Sequence, residues 1–163
     1  MAGLNRPTSG AMLCNSKIIN NVLATHSARV NYVGHLTSVK LALTVEEDIK
    51  FWMQLNNHSD QETMEIALEH FGLLHQRSMP VRFLSSGQQR KLALTRLMVR
   101  DSKIWLLDEP TNHLDIPTIE WLQSELTRYQ GTLIFVSHDR ALMEALSTCV
   151  VDVDRGVVKL WPC

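Results

Sequence analysis

Short apolar runs and longer segments with helical periodicity alternate along the chain. Residues 103–110, KIWLLDEP, and residues 132–139, TLIFVSHD, are apolar runs that give way to charged residues. Such runs are typical of strands covered on both faces. Residues 28–35, ARVNYVGH, predict another strand that ends at Gly34 and His35. Because each of the two apolar runs is followed by a helical pattern, the sequence predicts an α/β fold with a parallel sheet.

Capping residues mark the predicted helices. Thr44 is followed three residues later by Glu47, which fits a capping box at a helix start. Gly72 is placed to end a second helix, and Ser85 or Ser86 to begin a third. Helices are predicted over residues 43–55, 60–73, 85–99, 116–129 and 140–147, and terminal β-hairpins over residues 6–18 and 149–161.

The composition is that of an ordinary globular protein. The chain has 163 residues, of which 45% are hydrophobic and 20% charged, enough to bury the core of one domain. Its formal net charge of −1 gives no general attraction to nucleic acid or anionic lipid. Three widely spaced cysteines, Cys14, Cys149 and Cys163, form no metal-binding pattern and favour a reducing compartment. With no apolar run near the roughly 20 residues of a membrane helix and no secretory signal at the start, a cytosolic location is expected.

Two adjacent carboxylates close the first apolar run. Because adjacent residues on a strand point to opposite sides, the Asp108 and Glu109 carboxylates are expected to do different jobs. One can then face a hydrated Mg²⁺, which prefers oxygen ligands, and the other can orient or deprotonate an attacking water. His138, at the end of the second run, is expected near the same edge, because sites in parallel sheets gather at the carboxyl ends of the strands. The residues therefore predict chemistry on a phosphate at this edge.

The segment LSSGQ opens the third predicted helix. Ser86, Gly87 and Gln88 stand where free backbone N–H groups and the helix dipole favour an anion. Glycine also lets the backbone approach phosphate oxygens closely. The alternative is an ordinary serine N-cap, which the position of the segment shortly before the acidic strand end disfavours.

Four segments in order, LSSGQ, IWLLDEP, NHLD and VSHD, resemble the signature loop, Walker B strand, D-loop and switch histidine of the ABC ATPases. The resemblance implies an incomplete P-loop NTPase cassette. In that family two cassettes pair head to tail, and the signature loop of one caps the ATP held by the other. The implied roles are Mg²⁺ binding for Asp108, catalysis for Glu109, γ-phosphate sensing for His138, a dimer contact for Asp115, and ATP binding in trans for Ser85, Ser86, Gly87 and Gln88.

The resemblance also divides the chain. It implies a residual antiparallel β subdomain over residues 1–35, an α-helical signature subdomain over residues 36–100 and a core with the remaining motifs over residues 101–163. The sequence contains no G-x-x-x-x-G-K-[ST] phosphate loop, and MAGLNRPTSG resembles the stretch that follows the phosphate-loop helix. We therefore expect a truncated cassette that is inactive alone and whose parallel sheet has a gap or an exposed edge, which invites aggregation or pairing.

Different parts of the chain resemble two subfamilies. Residues 1–107 resemble the ATP-binding subunit of the haem exporter of cytochrome c maturation, whereas residues 108–163 resemble the ABC-F ATPases, which act on ribosomes. The first resemblance implies ATP, Mg²⁺, a second cassette and membrane-embedded transporter subunits, with a cytoplasmic position at the inner membrane through those subunits. The alternatives are an ABC-F fragment that binds ribosomes and a non-catalytic cassette partner, and no DNA partner is expected. His35 occupies the family's glutamine-loop position, which is a departure from the pattern.

The predicted signature helix carries four basic residues. These fit either RNA binding, which the ABC-F alternative would use, or a solvated helix face, which we favour. The four residues are Arg90, Lys91, Arg96 and Arg100.

Overall fold

A three-stranded parallel sheet holds the predicted chemical groups at its edge. The computed structural model describes residues 9–11, 13–14, 16–18, 29–35, 39–55, 60–100, 102–154 and 157–162. Seven strands occur in that part of the chain: β1 (Leu13–Cys14), β2 (Lys17–Ile18), β3 (Val30–Val33), β4 (Ile104–Asp108), β5 (Thr132–Val136), β6 (Cys149–Asp154) and β7 (Val157–Pro162). The sheet has the order β3-β4-β5, with both pairs parallel. β1 pairs with β2 and β6 with β7 in antiparallel hairpins, so the predicted α/β class is confirmed.

Five α-helices accompany the strands in the described part of the chain. They are α1 (Val45–Gln54), α2 (Gln61–His70), α3 (Ser86–Val99), α4 (Ile116–Arg128) and α5 (Arg140–Leu146). Each helix lies within one of the predicted helical segments. Helix α4 connects β4 to β5, as a parallel pair of consecutive strands requires.

Side-chain caps set the starts of α1 and α3, and a glycine marks the end of α2. Thr44 caps α1 and forms the predicted capping box with Glu47. Ser85 caps α3, and Gln88 completes a second capping box. Gly72 follows α2 with a φ of +66°, a left-handed conformation that glycine adopts without steric cost. These boundaries therefore follow from local sequence.

Helix α3 lies in the hydrophobic core. It packs against α1, α2 and β3, and residues 92–97 of this helix are all buried. Arg90 and Arg96 are only 2% and 1% exposed. Both interpretations of the basic residues on this helix, RNA binding and a solvated face, are therefore wrong for these two arginines.

Strand β5 differs from the prediction of a strand covered on both faces. Among the described strands it pairs with β4 alone, and its residues Ile134 and Val136 are exposed to 38% and 58%. In β4, by contrast, Trp105, Leu106 and Leu107 are buried. One face of β5, formed by Thr132, Ile134 and Val136, is exposed, whereas Leu133 and Phe135 on the other face are partly buried. An apolar composition therefore does not show that a strand is covered on both faces.

Some predictions lie outside the described residues. These concern the first eight residues, whose sequence resembles the stretch that follows a phosphate-loop helix, parts of the two predicted hairpins, and Cys163. Cys149 is a free thiol on the surface. None of the helices in the described segments has the length and apolar character that a membrane span needs.

An ion-pair network on α1 makes stability depend on pH. Arg77 donates to Glu46 at 3.0 Å, and Lys50 donates to it at 2.6 Å. These hydrogen bonds, that of Arg77 first, lower the pKa of Glu46 from 4.5 to about 2. Because the folded-state pKa is depressed, the stabilisation is present above pH 4.5 and is lost as the pH falls toward 2.

We expect Glu46→Gln to lower the free energy of unfolding by roughly 0.5–1 kcal/mol at pH 6, since partly exposed ion pairs contribute little. Urea titrations should show this deficit shrinking as the pH falls from 4.5 toward 2. The control is Glu120→Gln, which removes an exposed carboxylate of α4 and should give no such trend. A deficit that stays constant through this range would contradict the assigned network.

Candidate functional site

Side chains at the carboxyl ends of β4 and β5 converge. Asp108 ends β4, Glu109 follows it, and His138 follows β5. The Nε2 atom of His138 lies 3.3 Å from Oε1 of Glu109. The Glu109 side chain is 12% exposed, whereas that of His138 is 95% exposed. The pair thus joins a nearly buried carboxylate to an imidazole that is open to solvent.

Glu109 has an unusual backbone conformation. Its φ angle is +47°, in the left-handed region that non-glycine residues seldom adopt. Its N–H donates to the carbonyl of Val136 at 2.9 Å, and its own carbonyl accepts from Asn112 at 3.2 Å. Such a conformation costs about 1–3 kcal/mol and persists where surrounding contacts enforce it. The prediction that Asp108 and Glu109 alternate along one strand is therefore wrong, because the strand ends at Asp108 and Glu109 begins a turn.

The Asp108 carboxylate contacts the backbone that follows β3. The backbone N–H of His35, just beyond β3, donates to Oδ2 of Asp108 at 3.2 Å. Within the described residues no group of three or more acidic, histidine or cysteine side chains could hold a metal ion by itself. Mg²⁺ is commonly bound by one or two carboxylates together with waters and substrate phosphates. The half-buried Asp108 carboxylate fits such an ion as one ligand beside a bound phosphate.

The signature segment forms the start of α3. Ser85 accepts a hydrogen bond from the N–H of Gln88 at 3.2 Å, and Gln88 accepts one from the N–H of Ser85 at 2.9 Å. These two side chains therefore cap the helix. Ser86 and Gly87 are its first two residues, where backbone N–H groups lack partners within the helix. Those N–H groups are what the segment can offer to an anion.

The NHLD segment packs against this helix start. A Cβ atom at Gly87 would lie 3.0 Å from the carbonyl oxygen of His113, so the close approach favours glycine. Thr118 and Lys91 both donate to the Asp115 carboxylate, Lys91 at 2.9 Å. The hydrogen bond from Thr118 has the largest effect in lowering the pKa of Asp115, and that from Lys91 the next. The structure thus places the exposed Asp115 beside the signature helix of its own chain.

Arg90 belongs to the site although the sequence did not predict it. Its guanidinium donates to the carbonyl oxygens of Gly34 at 2.6 Å, Asp108 at 2.9 Å and Glu109 at 2.7 Å. Its position in the sequence could have indicated this role. Arg90 lies four positions before the buried Leu94, so the two residues lie on the same face of the helix. A charged side chain on a buried face requires hydrogen-bond partners.

The chain is similar in sequence to known ABC proteins. The family model described as ABC transporter matches residues 1–112. The chain is 35% identical over 144 residues to the cytochrome c biogenesis ATP-binding export protein CcmA of Paramagnetospirillum magneticum, covering 85% of this chain and 66% of that protein. It is 38% identical over 152 residues to the ATP-binding protein Uup of Haemophilus influenzae, covering 80% of this chain and 22% of that protein. The chain therefore spans no more than about two thirds of the first relative and under a quarter of the second.

Solved structures share the fold. An ATP-binding subunit of an ABC transporter superposes with a TM-score of 0.87 at 20% identity, covering 99% of this chain and 70% of that chain. A dimeric ATP-binding cassette in a post-hydrolysis state, bound to ADP and phosphate, superposes with a TM-score of 0.84 at 18% identity, covering 99% and 76%. At these identities the likeness concerns the fold.

Proposed function

The chain belongs to the ABC transporter family, and we propose that it is part of an ATP-binding cassette. It supplies the residues that hydrolyse ATP, at the ends of its strands, and the signature loop. The observation that carries the proposal is the 3.3 Å approach of His138 to Glu109. Asp108 stands beside this pair at the ends of adjacent parallel strands. The arrangement matches the needs of phosphate hydrolysis, in which a water must be oriented and developing charge stabilised.

The three residues divide this work. Glu109, nearly buried, orients the attacking water and accepts its proton, a contribution of typically 10²–10⁴-fold. His138 holds the Glu109 carboxylate through its Nε2 atom and meets the terminal phosphate from the solvent side. Asp108, fixed by the N–H of His35, would hold Mg²⁺ together with the phosphates. When bound, that ion neutralises charge on the phosphate oxygens.

The ATP phosphates must be held by another segment. A glycine-rich loop with a lysine cradles them in this mechanism, and these 163 residues contain no such loop. In the proposed dimer, the N–H groups of Ser86 and Gly87, with Ser85 and Gln88 around them, cap ATP bound to a second cassette, and Asp115 lies at the contact. Nucleotide binding is a property of the family, and the roles of these residues in it are the proposal.

For the transport role we propose the haem exporter class. The similarity to a cytochrome c biogenesis export protein over 85% of this chain supports it. Membrane-embedded transporter subunits are then the partners, and they hold the cassette at the cytoplasmic face of the inner membrane. We propose that the chain consists of a residual β subdomain (residues 1–35), a helical signature subdomain (residues 36–100) and a core (residues 101–163). The helical subdomain is then the contact for those subunits.

The similarity to Uup favours a second candidate, a ribosome-associated ABC-F ATPase. The burial of Arg90 and Arg96 removes two of the four basic residues on which an RNA contact from α3 would depend. The exporter is therefore the first choice. Affinity purification of the chain from its own cells separates the two, since the exporter brings membrane subunits and the ABC-F protein brings ribosomes.

A polypeptide of these 163 residues is expected to hydrolyse ATP no faster than background, because it has no phosphate loop. Fusion of a strand–loop–helix segment carrying that loop ahead of residue 1 should produce turnover. The matched control carries the same segment with its loop lysine replaced by methionine and should be inactive. Robust turnover by the unfused chain would contradict the proposal. A folded but inactive fusion that stimulates an intact cassette would establish the non-catalytic partner instead.

A further inference from the structure

Arg90 connects the ends of two strands through their backbones. It lies on α3, is 2% exposed, and donates to carbonyl groups beyond β3 and at the end of β4. Hydrogen bonds from a charged donor are roughly twice as strong as neutral ones. The guanidinium therefore holds the spacing of β3 and β4 at the edge where the proposed chemistry occurs.

One peptide group links Arg90 to the Asp108 carboxylate. The carbonyl of Gly34 accepts from Nη1 of Arg90 at 2.6 Å. The N–H of the same peptide group, that of His35, donates to Oδ2 of Asp108 at 3.2 Å. Because a peptide group is planar, fixing its carbonyl also fixes the direction of its N–H. Arg90 thereby sets the orientation of the Asp108 carboxylate.

A second branch reaches Glu109. The Nη2 atom of Arg90 donates to the carbonyls of Asp108 at 2.9 Å and Glu109 at 2.7 Å. These two carbonyls flank the change from extended strand to the left-handed turn at Glu109. The bonds stabilise a conformation that is costly by itself. That conformation brings the Glu109 carboxylate to 3.3 Å from His138.

We propose that Arg90 is a positioning residue for the two strand-end carboxylates, acting on Asp108 and Glu109 through the backbone. The effect of this positioning on catalysis rests on the proposed function. The planar fork of arginine matches the three carbonyl groups, whereas the single ammonium of lysine cannot bridge them in the same geometry. A lysine at this position keeps the charge and loses the positioning.

The experiment compares Arg90→Lys with Arg96→Lys in the full chain. Arg96 is a matched control, because it lies on the same helix, is 1% exposed and contacts Asp48 and Trp52 away from the strand ends. Both variants should lower overall stability. Only Arg90→Lys should speed amide hydrogen exchange at His35 and Glu109, by at least about tenfold relative to the amides of α3, since it frees buried carbonyls at the strand ends. Equal acceleration in both variants, or none in Arg90→Lys, would overturn the inference.

A kinetic arm separates this inference from the proposed function. In the fused cassette with a phosphate loop, Arg90→Lys should lower kcat by about 10²-fold with little change in the KM for ATP, as a misplaced catalytic group does. Arg96→Lys should leave kcat/KM for ATP near the value of the parent fusion. If Arg90→Lys keeps the parental kcat while Glu109→Gln is inactive, the positioning role of Arg90 is contradicted and the proposed function is not. An active Glu109→Gln contradicts the proposed function, and the exchange measurement then still decides whether Arg90 positions the strand ends.

Discussion

Replacing Glu109 with glutamine is expected to lower ATP turnover by about 10²–10⁴-fold in a cassette supplied with a phosphate loop, because the amide cannot accept the proton of the attacking water. The substitution keeps size and shape, and the glutamine can still contact His138. ATP binding should therefore be retained. Steady-state phosphate release gives the turnover, and equilibrium binding of ATP in the presence of Mg²⁺ gives the affinity.

The control for this result is Glu120→Gln, the same chemical change at an exposed position of α4. It should leave both turnover and affinity at the parental values. If Glu109→Gln kept more than about half of the parental turnover, Glu109 would not be the residue that acts on the water, since general-base help is worth far more than a factor of two. A parallel loss of ATP affinity would point to misfolding of the strand end.

Substituting Arg96 with methionine is expected to cost about 3–5 kcal/mol of unfolding free energy, since it leaves a buried carboxylate without its counter-ion. Arg96 lies 3.9 Å from Asp48, and both side chains are 1% exposed. Its guanidinium also lies 3.9 Å from the centre of the Trp52 ring. Burial lowers the pKa of Arg96 to about 10, so it remains charged at neutral pH. Urea denaturation at pH 7 gives the loss directly.

The pH dependence of this loss has a definite sign. Burial raises the pKa of Asp48 in the folded protein, and the charge of Arg96 opposes that rise. Without Arg96 the carboxyl should titrate higher still, and a raised folded-state pKa favours folding only while the group is protonated. The deficit of Arg96→Met should therefore be larger at pH 7 than near pH 4. A deficit that grows toward acid would contradict a buried Asp48–Arg96 pair.

A double variant tests whether the two residues act together. In Asp48→Leu combined with Arg96→Met neither charge of this buried pair remains, so the loss should be clearly smaller than the sum of the single losses. Arg128→Met, which removes an exposed arginine of α4, should change stability by no more than about 0.5 kcal/mol. Additive losses for the two core substitutions would show that each residue is held by other contacts.

The helices and strands could be predicted because their signals are local. Thr44 with Glu47 marks the start of α1, and the apolar run ending at Asp108 marks β4. The placement of His138 near Glu109 followed from a general rule, since neighbouring parallel strands present their carboxyl ends at one edge of the sheet. The rule did not require knowledge of any side-chain packing.

Features that depend on distant contacts were not predictable in the same way. Strand β5 has an apolar sequence like that of β4, and its exposure depends on which elements cover its two faces. The left-handed turn at Glu109 depends on hydrogen bonds from outside its own segment. Arg90 contacts Gly34, 56 positions away in sequence, so its role depends on the packing of α3 against β3. Periodicity shows that Arg90 is on a buried face, and only the three-dimensional structure shows what it binds.

A double-mutant cycle on ATP turnover tests most directly whether Glu109 and His138 act on one phosphate. The four proteins are the parent fusion with a phosphate loop, Glu109→Gln, His138→Ala and the double variant. Because the two side chains lie 3.3 Å apart and are proposed to serve the same step, the double variant should lose little more than the worse single variant. Losses that multiply, or a His138→Ala variant with parental turnover, would contradict the account.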